Sequence, residues 1–381
     1  MRVCVVYDCL FPYTVGGGER WYRAVAERAG REGHEVTYLT LRQWERGERA
    51  DVGPGVRVVA VGPRMALYTE GGRRRILPPL VFGLGVLWHL LRHGRRYEVV
   101  DTCAFPYFSL LAAALVRPLW RYRLIVEWFE VWSAAYWREY LGALAGPMGM
   151  AVQRMCALVP QRAICFSRLH AARLRQEGLR GEVEVLRGLY TGASRTGEPA
   201  EATRTVLFAG RLIPEKRVTL AVAALAAAAR RLPGLRGVIL GDGPEREALL
   251  QAVREHGLQD VVETPGFTAG ERVEHETAQA LCMLLTSRRE GYGMVVVEAA
   301  AQGTPSVVVA GEDNAATELI SEGENGFVAG GADPEKIGQA IVDVHDAGAA
   351  LRASTLRWFA EHSSELSLEA SLRRVLEVYA G

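Results

Sequence analysis

Short runs rich in Val, Ile and Leu alternate with longer stretches of helical period from one end of the chain to the other. Strands too uniformly apolar to alternate, each followed by a helix-length segment, predict parallel sheets covered on both faces. In the first half, the runs near residues 2–7, 35–40, 56–61, 97–101, 122–127, 163–166 and 183–186 read as strands. In the second half, those near 205–209, 237–240, 261–263, 282–285, 305–309 and 326–328 do. Both halves therefore read as doubly wound α/β domains. The segment 191–204 is polar, built of small residues and without periodicity, which marks a linker between a domain over 1–190 and a domain over 205–360. The alanine-rich stretch 220–231 keeps an apolar stripe and stops at Pro233-Gly234, so it reads as a helix rather than a low-complexity tract. Amphipathic 366–379 predicts a last helix, and for the tail 361–381 two placements stay open: back on the first domain, or on the second.

Composition narrows the class. A chain of 381 residues is long for one core, and 49% hydrophobic residues suffice for two. A formal net charge of +1 gives no reason to expect nucleic acid as a partner. The six cysteines lie scattered in apolar runs without metal-binding spacing, and they read as core residues of a reduced protein. The N-terminus enters a strand directly and shows no signal-peptide pattern, so a cytoplasmic location is expected. The longest apolar stretch, 76–91, contains two prolines and a histidine and is shorter than the roughly 20 residues that span a bilayer. Arginines flank it, among them Arg73, Arg75, Arg92 and Arg96. Residues 73–96 then read either as a crossover helix with a solvated basic rim, or as a peripheral contact with an anionic membrane at its inner face.

Candidate chemistry concentrates after the strand at 282–285. Glu290 and Glu298 are eight residues apart, with Gly291 and Gly293 breaking a loop between them and a helix expected to begin near Met294. Carboxylates accept hydrogen bonds from vicinal hydroxyls, and the N–H groups at a helix start attract phosphate. A sugar nucleotide would satisfy both; two solvated glutamates would give the same spacing. The loop Gly16-Gly17-Gly18-Glu19-Arg20 precedes an amphipathic helix at 21–32, and its glycines let backbone N–H groups approach a phosphate or serve a plain flexible loop. A dinucleotide fingerprint is absent, because the spacing is not G-x-G-x-x-G and no acid closes the next strand. In the second half, Gly210, Arg211 and Lys216 follow a strand, and two cations there would compensate a leaving diphosphate without a metal. The turn Gly241-Asp-Gly243-Pro-Glu follows the next strand and suits a base or ribose lying against backbone.

These motifs, with Glu322-Gly-Glu-Asn-Gly-Phe327 after them, occur in an order that resembles glycosyltransferase family 4. The resemblance runs over most of the chain and is best across 205–330. It implies the GT-B arrangement, two Rossmann-like domains facing across a cleft, and transfer of a sugar from a nucleoside diphosphate donor, of UDP or GDP type, to a hydroxyl acceptor with retention at the anomeric carbon. Under it, Arg211 and Lys216 hold the diphosphate, Glu298 the ribose and Glu290 the sugar hydroxyls. Backbone amides of Gly291, Tyr292, Gly293, Met294 and Val295 lie near sugar and phosphate, and Gly16 to Gly18 cover the diphosphate. No cofactor or metal is implied, and no Asp-x-Asp motif is placed for one. A sugar-nucleotide epimerase of the same architecture, and a protein that binds the nucleotide sugar without transfer, remain as alternatives.

One position departs from the family pattern. The strand at 122–127 leads into Trp128-Phe129-Glu130-Val-Trp132, where relatives commonly carry His in a His-Glu-Val-Trp-like sequence. Phenylalanine neither donates nor accepts a hydrogen bond. The expectation is a donor sugar without a C6 hydroxyl, a 6-deoxyhexose or a pentose; the alternatives are loss of transfer, or supply of the polar group by His89, His93 or Glu130. Phe129, Glu130 and Trp132 are candidate substrate contacts. Trp128, Trp132, Tyr136 and Trp137 offer stacking faces for an acceptor, whether a sugar, a natural product or a lipid-linked group, unless they line the core.

Overall fold

The computed structural model describes residues 1–45, 47–67, 74–268 and 270–381. The elements follow in chain order as β1 (Arg2–Val6), α1 (Gly17–Arg31), β2 (Glu35–Leu41), β3 (Val56–Gly62), α2 (Leu77–His93), β4 (Val99–Cys103), α3 (Phe108–Trp120), β5 (Arg123–Trp128), α4 (Ala134–Ala157), β6 (Arg162–Cys165), α5 (Arg168–Gln176) and β7 (Val183–Val185). The second half continues with β8 (Thr205–Ala209), α6 (Val218–Ala229), β9 (Arg236–Leu240), α7 (Arg246–Glu255), β10 (Val262–Gly266), α8 (Gly270–Gln279), β11 (Cys282–Leu285), β12 (Arg289–Glu290), α9 (Met294–Ala301), β13 (Ser306–Val309), β14 (Asp313–Asn314), β15 (Gly326–Ala329), α10 (Pro334–Leu366) and α11 (Leu368–Ala380). The chain forms two compact units, Met1–Arg187 with Glu369–Gly381, and Gly188–Leu368.

The first unit is built on a parallel sheet of order β3-β2-β1-β4-β5-β6-β7, in which the order reverses between β1 and β4. Beyond their first residues its central strands are buried, since a parallel strand under helices has no solvent face and gains from apolar residues along its length. Two acids break that rule, Asp101 on β4 and Glu127 on β5, both with no exposed surface. The helix α11 closes this unit: Tyr379 donates its hydroxyl hydrogen bond to Asp101, and Arg374 pairs with Glu184 at 2.8 Å. Leu372, Val375, Val378 and Tyr379 lie on its buried face.

The second unit has a parallel sheet of order β10-β9-β8-β11-β13-β15 and a separate two-strand pair, β12 with β14. Its core gathers around α6, whose small residues let α10 approach closely: a Cβ on Gly338 would stand 2.8 Å from that of Ala227. The segment 191–204 packs within this unit. Arg195 N–H reaches the Ala301 carbonyl at 2.9 Å, and Thr203 N–H reaches that of Gln279 at 2.8 Å. All six cysteines are buried and unbonded.

Candidate functional site

In the second unit, the loops that leave β8 and β9 are laced by their backbones. Gly210 N–H bonds the Leu240 carbonyl at 3.0 Å, Leu212 N–H bonds that of Asp242 at 2.9 Å, and Glu245 N–H bonds that of Leu212 at 2.9 Å. Gly241 and Gly243 have φ of 136° and 154°, and a Cβ on either would fall 1.8 and 2.4 Å from the carbonyl oxygens of Gly210 and Leu212. Those two glycines are thus explained by the approach of one loop to the other, where the sequence suggested the approach of a ligand. The turn at Asn325-Gly326 is architectural in the same sense: Asn325 is buried and bonds Leu319 and Ser321, and a Cβ on Gly326 would stand 2.0 Å from the Ser306 carbonyl.

On this scaffold the one-turn helix Pro214–Lys216 delivers Lys216 to Glu290. The ammonium bonds Glu290 Oε1, and Ser287 Oγ donates to the same oxygen at 2.7 Å. Arg217, in the left-handed region at φ 48°, donates to the carbonyls of Thr286 (2.8 Å) and Ser287 (3.2 Å), while Thr286 Oγ1 returns a bond to the Lys216 carbonyl at 2.8 Å. The loop carrying Lys216 and the loop carrying Glu290 are therefore clasped from both sides. Glu290 stands on β12, which pairs Arg289 with Asp313 and Glu290 with Asn314, where a plain loop was expected. Burial pulls the Arg289 guanidinium down to about 10, against the opposing pull of Glu290 and Asp313, and it remains a cation at neutral pH. Arg211 is exposed and has no ion pair among the described residues.

The helix α9 begins at Met294, as expected, directly after Gly291 and buried Tyr292. Gly293 caps it at φ 102°, and a Cβ there would meet that of Ala316 at 2.5 Å. No side chain caps this helix start, which suits its first N–H groups to an anion. Val295 lies in the first turn, and Glu298, one turn further, is exposed. The phenol of Tyr190 is pushed up to about 12 by burial first and by the Glu298 charge second. The structure brings Lys216 and Glu290 into contact, whereas neither Arg211 nor Glu298 forms a hydrogen bond or ion pair with either of them. Ser287, Arg217, Arg289, Asn314 and Tyr190 escaped the sequence reading. Of these only the doubled arginine at 288–289 beside Glu290 was a visible signal.

In the first unit, α1 starts at Gly17, with Gly16 as its cap, so Gly17 and Gly18 form the first helical turn and the expected loop to residue 21 is corrected. A Cβ on Gly18 would stand 2.6 Å from the Tyr7 hydroxyl and 3.4 Å from the Phe129 ring, and this crowding explains its glycine. Phe129 is half-buried, stacked on Phe166 at 4.9 Å and edge-on to Tyr22 at 6.0 Å. Glu130 accepts from Trp132 Nε1 at 2.8 Å.

For the aromatic cluster after β5, burial favours the core-lining alternative. Trp128 has no exposed surface, and Trp132, Tyr136 and Trp137 are buried as well. Buried Gln153 accepts from Trp132 N–H at 2.9 Å and from Trp137 Nε1 at 3.2 Å, and Gln161 accepts from Trp128 Nε1 at 2.9 Å. The indoles satisfy their polar edges internally, and Trp132 packs its face on neighbouring rings. His89 is buried and shares a 2.7 Å bond with the Tyr97 hydroxyl; burial and then His93 pull it down to about 4. Among the described residues, no group of three or more His, Cys, Asp or Glu is arranged around a metal.

Two parallel sheets of this order define the fold class, that of the GT-B glycosyltransferases. The fold is shared along its length with Anabaena HepE, solved in complex with UDP and glucose, at TM-score 0.71 and 18% identity, covering 100% of each chain. Residues 194–353 match the family model described as glycosyl transferases group 1. The D-inositol 3-phosphate glycosyltransferase of Acidothermus cellulolyticus is 32% identical over 212 residues, 50% of this chain and 46% of the relative. The GDP-mannose-dependent alpha-(1-6)-phosphatidylinositol monomannoside mannosyltransferase of Mycobacterium tuberculosis is 30% identical over 164 residues, 40% of this chain and 42% of the relative. The chain spans less than half the length of these curated relatives. The motif resemblance to glycosyltransferase family 4 agrees with these names.

Proposed function

We propose that the protein is a retaining, metal-independent glycosyltransferase that moves a sugar from a nucleoside diphosphate to a hydroxyl acceptor. The observation that carries this reading is the clasped pair Lys216–Glu290 beside the side-chain-free start of α9. A cation, a carboxylate and a helix N-terminus at one place match a ligand that presents phosphate and vicinal hydroxyls together. Anabaena HepE, solved with UDP and glucose, and the GDP-mannose-dependent relative support a nucleoside diphosphate donor of UDP or GDP type.

In this reading Lys216 and exposed Arg211 neutralise the diphosphate as the glycosidic C–O bond breaks, and the departing phosphate oxygen takes the acceptor's proton. Glu290 orients the sugar hydroxyls, Ser287 and Lys216 hold its carboxylate in place, and Glu298 takes the ribose. Phe129 puts a hydrocarbon edge where relatives have histidine, which favours a 6-deoxyhexose or pentose donor. The acceptor is a sugar, a natural product or a lipid-linked alcohol, and the reaction is cytoplasmic.

A thermal-shift screen of nucleoside diphosphates and their sugars tests donor binding, because a ligand present at 100 times its Kd stabilises the fold by about 2.7 kcal/mol. Turnover of the stabilising donor is then followed with and without a chelator, and the anomeric configuration of the product is read by NMR. Preference for a glucose-type donor would remove the Phe129 argument. Proton exchange into the sugar without an acceptor would indicate epimerisation.

A further inference from the structure

The helices α2 and α3 pack side by side and run the same way. Gly83 of α2 abuts Phe108 at the start of α3, Gly94 abuts Trp120 at its end, and Trp120 Nε1 donates to the Leu90 carbonyl at 3.0 Å. Their inward faces fill the first unit's core through Phe82, Val86, Leu90, Leu110 and Val116. Their outward faces are apolar too. Leu84 is 67% exposed, Trp88 60%, Leu115 69% and Leu119 61%. Leu77, Leu80 and Leu91 extend the same stripe along α2 at helical spacing.

Charge completes the picture. Between residues 76 and 122 the chain has five arginines and two acids; Asp101 is buried and Glu98 binds the Arg2 backbone N–H. Arg92, Arg95, Arg96 and Arg121 lie exposed at the carboxyl ends of the two helices, with no ion pair among the described residues. Arg92 lies over the Trp88 ring, 3.3 Å from its centroid. Arg96 also lines a depression of about 620 Å³ with Arg2, Arg57 and Tyr97, at the amino ends of the strands. Arg73, included in the sequence-level stretch, is outside the described residues, and Arg74 is turned inward onto buried Asp8.

We propose that the outer face of α2 and α3, with the arginines at their carboxyl ends, docks the protein on the surface of an anionic lipid bilayer. Leucines and an indole enter the headgroup boundary while arginines meet lipid phosphates, the division of labour of an interfacial helix. No helix among the described residues is long and apolar enough to cross a membrane, so the contact is peripheral. A protein partner would need a complementary acidic and apolar face; a bilayer supplies both without a specific shape.

Co-sedimentation with vesicles tests this without any sugar donor, so it stands apart from the catalytic reading. The protein should pellet with phosphatidylglycerol-containing vesicles, remain in solution with pure phosphatidylcholine, and release as salt rises. Each arginine contributes roughly fivefold to binding, so Arg92→Glu with Arg95→Glu and Arg96→Glu should weaken it on the order of a hundredfold or more. Trp88→Ser with Leu119→Ser should weaken it about tenfold. Circular dichroism and Tm verify folding, and Leu84→Ser with Leu115→Ser is the replacement pair if the first unfolds. Equal binding to neutral vesicles, absence of binding, or unchanged binding of the variants overturns the proposal. Lipid-free pelleting through self-association of this face overturns it as well.

Discussion

At the scale of single residues, Lys216 and Glu290 were legible because cations and carboxylates in glycine-rich loops are uncommon without a ligand to meet. Their contact was not legible, since it depends on Arg217 and Thr286 clasping segments some 70 residues apart. Lys216→Ala should cut kcat/KM by 10² to 10³, the range for losing a donor to a developing oxyanion. Its side chain is one-fifth exposed, so Tm should move by only a few degrees. A loss of stability equal to the loss of turnover would instead mark the pair as structural. Asp101 and Glu127 are the residues that pattern reading passed over, although each interrupts an apolar strand. Burial pushes Asp101 up to about 7, against the opposing pull of its hydrogen bonds to Tyr379 and Glu127, while burial and then the Asp101 charge push Glu127 well above its ordinary range. A carboxyl whose native pKa lies above its unfolded value of about 4 holds a proton the unfolded chain releases. Its contribution to stability is complete below pH 4 and is lost as pH rises toward 7. Tm should therefore fall between pH 4 and 7, and Asp101→Asn should flatten that slope; an unchanged slope would show that the pair does not titrate in this range.

At the scale of elements, the pattern of apolar runs located thirteen of the strands because parallel strands under helices carry an unmistakable composition. The pairs it shifted are explained by neighbours: β4 begins at Val99 rather than 97, because Tyr97 turns back to bond its N–H to Gly94. The two-residue strands β12 and β14 carry no periodicity and exist through the side chain of Asn314, which bonds the Ser287 and Val309 carbonyls at 3.1 and 2.8 Å. The start of α1 was misplaced because glycines weaken helix propensity, and only tertiary crowding against Tyr7 and Phe129 reveals why they are there. Gly293→Ala tests the same logic at α9. A left-handed residue facing a 2.5 Å contact should cost about 2 to 4 kcal/mol in chemical denaturation. It should also abolish ligand-induced stabilisation, since the helix start would shift.

For the whole molecule, the sheet orders of the two units account for the match to solved GT-B structures at low identity. The reading of the six cysteines as core residues agrees with the structure, where all six are buried and free. Topology still left open where the last helix belongs, because amphipathicity names a buried face without naming what buries it. Deleting residues after Leu368 should strip Leu372, Val375 and Tyr379 from the first unit. The outcome expected is aggregation or a large drop in the first unit's unfolding temperature, with the second unit, Gly188–Leu368, melting nearly unchanged. The position of α11 also has a kinetic consequence. The ribosome delivers β1 to β7 before the second unit, and α11 only after some 180 intervening residues have emerged. Of the two units, the one begun first is thus completed second, with Asp101 awaiting Tyr379 until the second unit has emerged. In nascent chains arrested at successive lengths, protease resistance of the second unit should appear before that of the first.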